Sequence, residues 1–320
     1  MAAGQVRNQH WVPQCYLKGF AKSASKNAQL LVVDKRTRTS FTTSPRNVAS
    51  ARDFNRIEVD GVDPNLVEMT YANFESKVAQ ALRRMWQTRA LGSDEDLNLL
   101  LNLIALMAVR TPRMRENVRD FHERIAKQIM HLTVANEERY NATMGRAIRD
   151  GHVPDAPKVT YEEMKQFVQS EAYTIEVSTT RHVGNEMRMM ETVLTSLAQR
   201  RWLLVRAGAD TGGFVTSDHP VGLQWSERKE RNPFDSPGFG RRGTEVLFPV
   251  SHELLMVGHT GNSVEVIDAG PEQVAFANAS LLWHAHRQVY ARDDKFMYLR
   301  KDGAMRRGGN LLEDIDQFSG

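Results

Sequence analysis

Apolar and polar positions follow three regimes along this chain. Residues 29–34 (Gln-Leu-Leu-Val-Val-Asp) form a short apolar run bounded by polar residues, which predicts a strand. Residues 37–43 predict its hairpin partner across the Asp34-Lys35-Arg36 turn, and residues 54–59 a third strand before the Asp60-Gly61 turn. A long helical region follows. Residues 66–89 carry helical spacing, and Ser93 stands as the cap of a second helix with Asp94, Glu95 and Asp96 in its first turn. Residues 97–109 are apolar on nearly every side, broken only by Asn98 and Asn102, the pattern of a buried central helix. Pro112 ends that helix just after Arg110, and helix resumes over 113–149. Thr160-Tyr161-Glu162-Glu163 caps a short helix to about residue 171; a strand over 173–177 and a methionine-rich helix over 182–201 follow.

The last third changes character. Short strands are predicted over 202–206, 213–216, 245–249, 254–257, 264–267 and 288–291, with one helix over 271–286. Residues 224–244 read as a long polar loop holding Gly238, Gly240, Gly243, Pro233 and Pro237; such a loop is a lid, a binding loop or disordered. The pattern predicts an α+β fold, with a helical central region flanked by strand-rich N-terminal and C-terminal parts that share one sheet. The expected organisation is one domain over 1–300, extended over 8–60, helical over 64–201 and strand-rich over 202–292, with a loosely ordered tail at 301–320.

Three places carry candidate chemistry. The first is the opening block, Asn8 to Phe20. Chain ends normally fray, yet this one holds Trp11, Tyr16, Leu17 and Phe20, so it is expected to dock into the body as a strap. Its His10 is either a general base or metal ligand, or a core histidine bonded to backbone. The second is Arg110-Thr111-Pro112-Arg113. Leaving an apolar helix, Arg110 either reaches the surface or is buried against a carboxylate or ligand phosphate; Arg113 shares a face with Asn102. The third is Thr216-Ser217-Asp218-His219-Pro220, a polar triplet at a strand end. Asp218 and His219 there make an acid–base or metal-binding pair, or else Asp218 closes a turn on its own backbone.

Composition narrows the classes. The chain has 320 residues, 41% apolar and 25% charged, enough to bury a sizeable core. The net charge of +3 and pI of about 9.0 are only mildly basic. Basic residues gather at Lys35, Arg36, Arg38, Arg46, Arg52 and Arg56, and again at Arg300, Lys301, Arg306 and Arg307, as a solvated face or a phosphate-contacting surface. No stretch is long and apolar enough to predict a membrane span or a signal peptide, so the expected location is cytoplasmic. The single cysteine, Cys15, excludes an internal disulfide and is expected to be buried and inert. Phosphate-loop, dinucleotide-fold, zinc-protease and nucleophile-elbow signatures are absent, which leaves P-loop hydrolysis and nicotinamide redox chemistry without support.

With these blocks in place, the chain resembles a large bacterial group, domain-of-unknown-function family 4238. The family's opening block is close to H-x-V-P-x-x-Y-L-x-x-F, matched here by His10, Val12, Pro13, Tyr16, Leu17 and Phe20. Val32-Val33-Asp34-Lys35, Arg110-Thr111-Pro112, Thr216-Ser217-Asp218 with Pro220, and Phe248-Pro249-Val250-Ser251 follow in the family's order. The family usually has Asn where His219 stands. The resemblance implies that His10, Arg110, Ser217 and Asp218 converge on one pocket. The resulting expectation is an enzyme acting on a phosphate-bearing substrate, a nucleic acid or nucleotide, by hydrolysis assisted by a divalent metal. His10, Asp218 and Ser217 would be catalytic, with Arg110 and Arg113 anion-binding. The alternative is a non-catalytic module in which these residues form a structural polar network.

Overall fold

The computed structural model describes residues 7–23, 25, 27–154, 159–227, 235–261 and 266–318. It divides into two compact units, one of residues 1–111 and 183–320, the other of residues 112–182.

In the first unit, strand β1 (Asn8–His10) leads into the short helix α1 (Gln14–Leu17). Strands β2 (Leu30–Asp34) and β3 (Thr39–Thr43) form the expected hairpin. The Asp34 carboxylate closes the turn by accepting the backbone N–H groups of Arg36 and Thr37, each at 3.1 Å. The third strand is not at 54–59. Strand β4 is Ser50–Arg52, antiparallel to β1, whereas Phe54 is a buried side chain 5.5 Å from the Trp11 ring. An apolar run makes a strand only when a partner edge is available, and here the edge of β1 is taken by residues 50–52.

Helices α2 (Leu66–Thr88) and α3 (Asp94–Val109) follow. Arg89 ends α2 in the left-handed region at φ 51°, its N–H returning to the Met85 carbonyl at 2.8 Å. The Ser93 hydroxyl accepts the Asp96 N–H at 3.2 Å, which is the predicted cap. Asp96 also takes the Arg84 guanidinium, joining α3 to α2. Residues 103–109 of α3 are all buried, as a helix apolar on every side requires.

The remaining elements are α7 (Thr179–Ala198), β5 (Arg201–Ala207), β6 (Thr216–Ser217), β7 (Gly222–Trp225), β8 (Thr244–Ser251), β9 (Leu254–His259), β10 (Val266–Ala269), α8 (Pro271–His284), β11 (Gln288–Ala291), β12 (Met297–Leu299) and β13 (Met305–Arg307). The described residues form two larger sheets. One has the order β3-β2-β11-β6, so two strands from the N-terminal part pair with two from the C-terminal part; the other, β10-β5-β9-β8-β7, is entirely C-terminal. Strand β7 pairs with β8 from Gly222↔Leu247 to Trp225↔Thr244, so the ends of the expected 224–244 loop are strand; residues 228–234 lie outside the described ones.

The strap docks as expected. Val12, Tyr16, Leu17 and Phe20 are completely buried, each side chain contributing about 1.5–3 kcal/mol. The Tyr16 ring stacks on Phe248 at 5.2 Å, and its hydroxyl bonds the Thr216 hydroxyl at 2.7 Å. Gly19 permits a close approach, since a Cβ there would sit 2.9 Å from the Val250 carbonyl oxygen.

The tail is not loose. Leu311, Ile315 and Phe318 are buried, and the Lys35 ammonium donates to the carbonyls of Ala285 at 2.7 Å and Phe318 at 2.5 Å. Three large apolar residues spaced at 311, 315 and 318 supply the anchorage that the basic, glycine-containing lead-in conceals.

The second unit contains α4 (Pro112–Thr133), α5 (Glu137–Arg149) and α6 (Tyr161–Ser170) around Val134, Tyr140 and Val168. The helix expected over 113–149 is broken because Asn136 caps a new one, its side chain accepting the Arg139 N–H at 2.9 Å. Thr160 and Glu163 form a full capping box at α6. Residues 173–177 form no strand; they have no pairing edge. Residues 155–158 of the expected linker lie outside the described ones.

Candidate functional site

Strand β1 places His10 opposite Ser50. The His10 Nε2 lies 3.2 Å from the Arg46 carbonyl oxygen. A carbonyl only accepts, so Nε2 carries the ring proton and Nδ1 presents a lone pair. Burial lowers the His10 pKa and the nearby Arg110 charge lowers it further, against the opposing pull of the Arg46 carbonyl. His10 is therefore held neutral, with its basic nitrogen available.

Arg110 is placed by the end of α3. Its backbone N–H still reaches the Leu106 carbonyl at 2.9 Å, while φ −92° and ψ 66° take it out of the helix. Pro112 explains the exit, because a proline disfavours helical backbone in the residue before it. The Arg110 side chain is 0% exposed. Its Cζ sits 4.2 Å from the centre of the Tyr71 ring. Nη2 donates to the Trp11 carbonyl at a long 3.5 Å, and Nε and Nη1 have no hydrogen-bond partner. A buried guanidinium so poorly satisfied is rare, because each unmade buried bond costs about 1–3 kcal/mol.

The face of α2 supplies the acids that the sequence reading did not select. Glu68, Tyr71 and Glu75 are three and four residues apart and so share one helical stripe. Burial pushes the Glu75 pKa up to about 7; Arg110 pulls it down and Glu68 pushes it up. Asn55 donates from Nδ2 to Glu68 at 2.8 Å and from its backbone N–H to the Gln9 side chain at 2.5 Å, tying the acid stripe to the strap. Cys15 lies beside Glu75 with its Sγ 3.8 Å from the Glu75 carbonyl oxygen; burial pushes its thiol up to about 12, as expected for an inert cysteine.

The strand-end block has a different character. The Asp218 carboxylate is buried and accepts the backbone N–H groups of His286 at 3.0 Å and Arg287 at 2.8 Å. Burial raises its pKa against these bonds. The Asp218 carbonyl accepts the Trp11 indole N–H at 3.2 Å. The Ser217 hydroxyl donates to the His219 carbonyl at 2.8 Å and accepts the His219 N–H at 3.1 Å, closing a tight turn. His10 and Glu75 thus both feel the Arg110 charge, while Asp218 is tied to Arg110 through Trp11. Arg113 lies on α4 in the second unit with its side chain exposed.

The profile of a family described as "Protein of unknown function (DUF4238)" matches residues 8–295. The chain belongs to this family. The matched span contains every site residue above, so the candidate site of this DUF4238 protein is built from family sequence throughout. No curated protein and no solved structure matches the chain.

The basic stretch of this DUF4238 protein is partly engaged elsewhere. Lys35 binds carbonyls, Arg38 pairs with Asp316 and Arg52 with Asp53. In the C-terminal cluster, Arg300 and Arg306 both pair with Asp314. Among the described residues no group of three or more His, Cys, Asp or Glu side chains is placed to hold a metal ion. No helix is long and apolar enough to cross a membrane.

Proposed function

We propose that the cluster of His10, Arg110 and Glu75 is the active site of an enzyme that hydrolyses a phosphate-bearing substrate of nucleotide type by acid–base chemistry. The observation that carries this reading is the fully buried Arg110 guanidinium with Nε and Nη1 unpartnered. Nη2, held only by its long bond to the Trp11 carbonyl, flanks both of them, so the guanidinium offers two edges, Nε with Nη2 and Nη1 with Nη2, on which a phosphate takes two of its oxygens. Protein carboxylates near it do not fill the role: Glu75 acts on Arg110 through space without an ion pair.

The flanking groups suit the chemistry. In hydrolysis, water forms the new P–O bond while the bond to the leaving oxygen breaks. His10, neutral with Nδ1 free to accept, takes the proton from water. Glu75, with a pKa of about 7, gives its proton to the leaving oxygen. Arg110 lowers the pKa of both groups. A bound phosphate dianion cancels that charge at Glu75, so binding favours the protonated acid there. In this reading Asp218 and Ser217 are scaffold, fixing the strap that carries His10.

Calorimetric titration with inorganic phosphate in buffers of different ionisation heat tests the linkage. Phosphate binding with proton uptake near pH 7, reduced in Glu75→Gln and abolished in Arg110→Met, supports the reading. Hydrolysis of p-nitrophenyl and bis-p-nitrophenyl phosphate by the wild type, absent in His10→Ala and Glu75→Gln, supports the enzyme. No phosphate binding by the wild type rejects both and returns the cluster to the structural-network reading.

A further inference from the structure

We propose that the first unit carries a second anion site, independent of the proposed Arg110 site, that takes a small ligand bearing a diphosphate group. It is a cavity of about 540 Å³ where the C-terminal end of α7 meets the start of β5, the end of β9 and the turn before β8; Arg201, Arg241, Arg242, His259, Gln199 and Thr260 line it. That volume lies within the range of ligand pockets that hold nucleotide-sized molecules.

Two adjacent arginines on its wall have opposite fates. Arg200 is buried and fully engaged. It donates from Nη1 to the Thr244 and Gly258 carbonyls at 2.6 and 3.1 Å, and from Nη2 to the Phe239 carbonyl at 2.6 Å and the Thr244 hydroxyl at 2.8 Å. It thereby clamps the 238–244 turn from behind onto β9. Arg201, the next residue, projects to the other side of the strand and is exposed. It pairs in register with His259 of β9, so the two side chains share one face of the sheet.

Two of the positive charges on this wall have no ion pair among the described residues. Arg241 is held by Asp235 at 2.5 Å and by the Ser236 carbonyl at 2.8 Å. Arg201 and Arg242 are both exposed and have no ion-pair partner among the described residues. The Nδ1 of His259 accepts the Gly261 N–H at 3.2 Å, which puts the ring proton on Nε2; that atom is buried and without a partner. Two free guanidinium groups, an unsatisfied imidazole donor and the side chains of Gln199 and Thr260 make a donor-rich lining on a braced turn. Donors in excess with two free positive charges fit a ligand with two linked phosphates, one for each arginine.

The test uses pyrophosphate as probe, the full chain, and an Arg110→Met background that removes the first site. Isothermal titration is expected to show one pyrophosphate site in that background. Adding Arg201→Gln and Arg242→Gln is expected to weaken it by at least about tenfold, the scale of one lost charge-assisted contact. The Arg201→Lys and Arg242→Lys pair is expected to recover part of the loss. No pyrophosphate binding in the Arg110→Met background overturns the proposal, as does binding that the double glutamine change leaves unaltered. Tighter binding of a single-stranded oligonucleotide than of pyrophosphate, with the same arginine dependence, also overturns the small-ligand assignment. Failure here leaves phosphate binding through Arg110 intact in the otherwise unmodified chain, so the two sites are tested separately.

Discussion

Replacing Arg110 by Met is expected to stabilise the free protein while destroying the proposed phosphate site. The guanidinium is completely buried, with two N–H groups unmade and a third bond stretched to 3.5 Å. Two unmade buried donors cost about 2–6 kcal/mol together. Against this stand the contact with Tyr71 at 4.2 Å, worth about 2 kcal/mol when desolvated, and a through-space attraction to Glu75. Glu75 loses little when Arg110 goes, because with a pKa of about 7 it neutralises itself by holding its proton. Methionine keeps most of the apolar stem volume. The net expectation is a gain of about 1–4 kcal/mol, the range seen when buried ions give way to packed apolar side chains. In thermal unfolding that is a rise of roughly 2–10 °C. Phosphate should reverse the order: at a hundredfold excess over its dissociation constant it adds about 2.7 kcal/mol to the wild type and nothing to the variant. A variant that loses several kcal/mol, in a protein whose melting is indifferent to phosphate, refutes the reasoning and makes Arg110 a structural ion.

Glu75→Gln should remove a pH dependence. Its pKa rises from 4.5 to about 7 on folding, so the folded state binds the extra proton between those values and stability falls as pH rises through them. The variant should therefore lose this component of the pH dependence, leaving that of His10 and Asp218, and be more stable than the wild type at pH 8 by about 2 kcal/mol after screening, read from denaturant midpoints at pH 4 and pH 8. Asp218→Ala leaves the His286 and Arg287 N–H groups unpaired and should cost about 2–5 kcal/mol in urea unfolding; a change below 0.5 kcal/mol, the usual scale of a neutral surface substitution (roughly ±0.5), rejects the scaffold role. Trp11→Phe removes only the indole bond to the Asp218 carbonyl, about 0.5–1.5 kcal/mol. It should weaken phosphate binding measured by titration, because the Trp11 carbonyl is the one acceptor Arg110 has; unchanged affinity rejects the link.

Local signals made much of the fold legible. The Ser93 cap, the apolar run of α3 and the β2–β3 hairpin are each written in contiguous residues, and the buried strap follows from the size of Trp11, Tyr16, Leu17 and Phe20. What failed depended on distant partners. Residues 54–59 look like a strand until β4 takes the edge of β1, and residues 311–318 look loose until Lys35, far away in sequence, meets the Phe318 carbonyl. The site divides the same way. His10 and Arg110 stood out because each is a polar residue in an apolar block. Glu68 and Glu75 are legible as one stripe of α2, yet nothing local says that this stripe faces Arg110 rather than solvent. Asp218 stood out equally, but its carboxylate faces two backbone amides 68 and 69 residues on in the chain's path, after β7 to β10 and α8, a contact no motif announces.

The three motif blocks are joined through one residue, and this accounts for their different chemistry. Trp11 gives its indole N–H to the Asp218 carbonyl and its own carbonyl to Arg110. The strand-end block is thereby saturated: Asp218 has its amides, Ser217 has His219, and Tyr16 has Thr216. The Arg110 block is left short by two bonds. Folding that can satisfy Asp218 completely through backbone amides has the same means at hand for a buried arginine, as Arg200 demonstrates with its carbonyls of Thr244, Phe239 and Gly258. The deficit at Arg110 is therefore a property of that position and not of the fold. On the proposed reading, this rigid, saturated frame holds an unsaturated cation beside a neutral imidazole and a near-neutral carboxyl as a preorganised seat for an anion that arrives from outside.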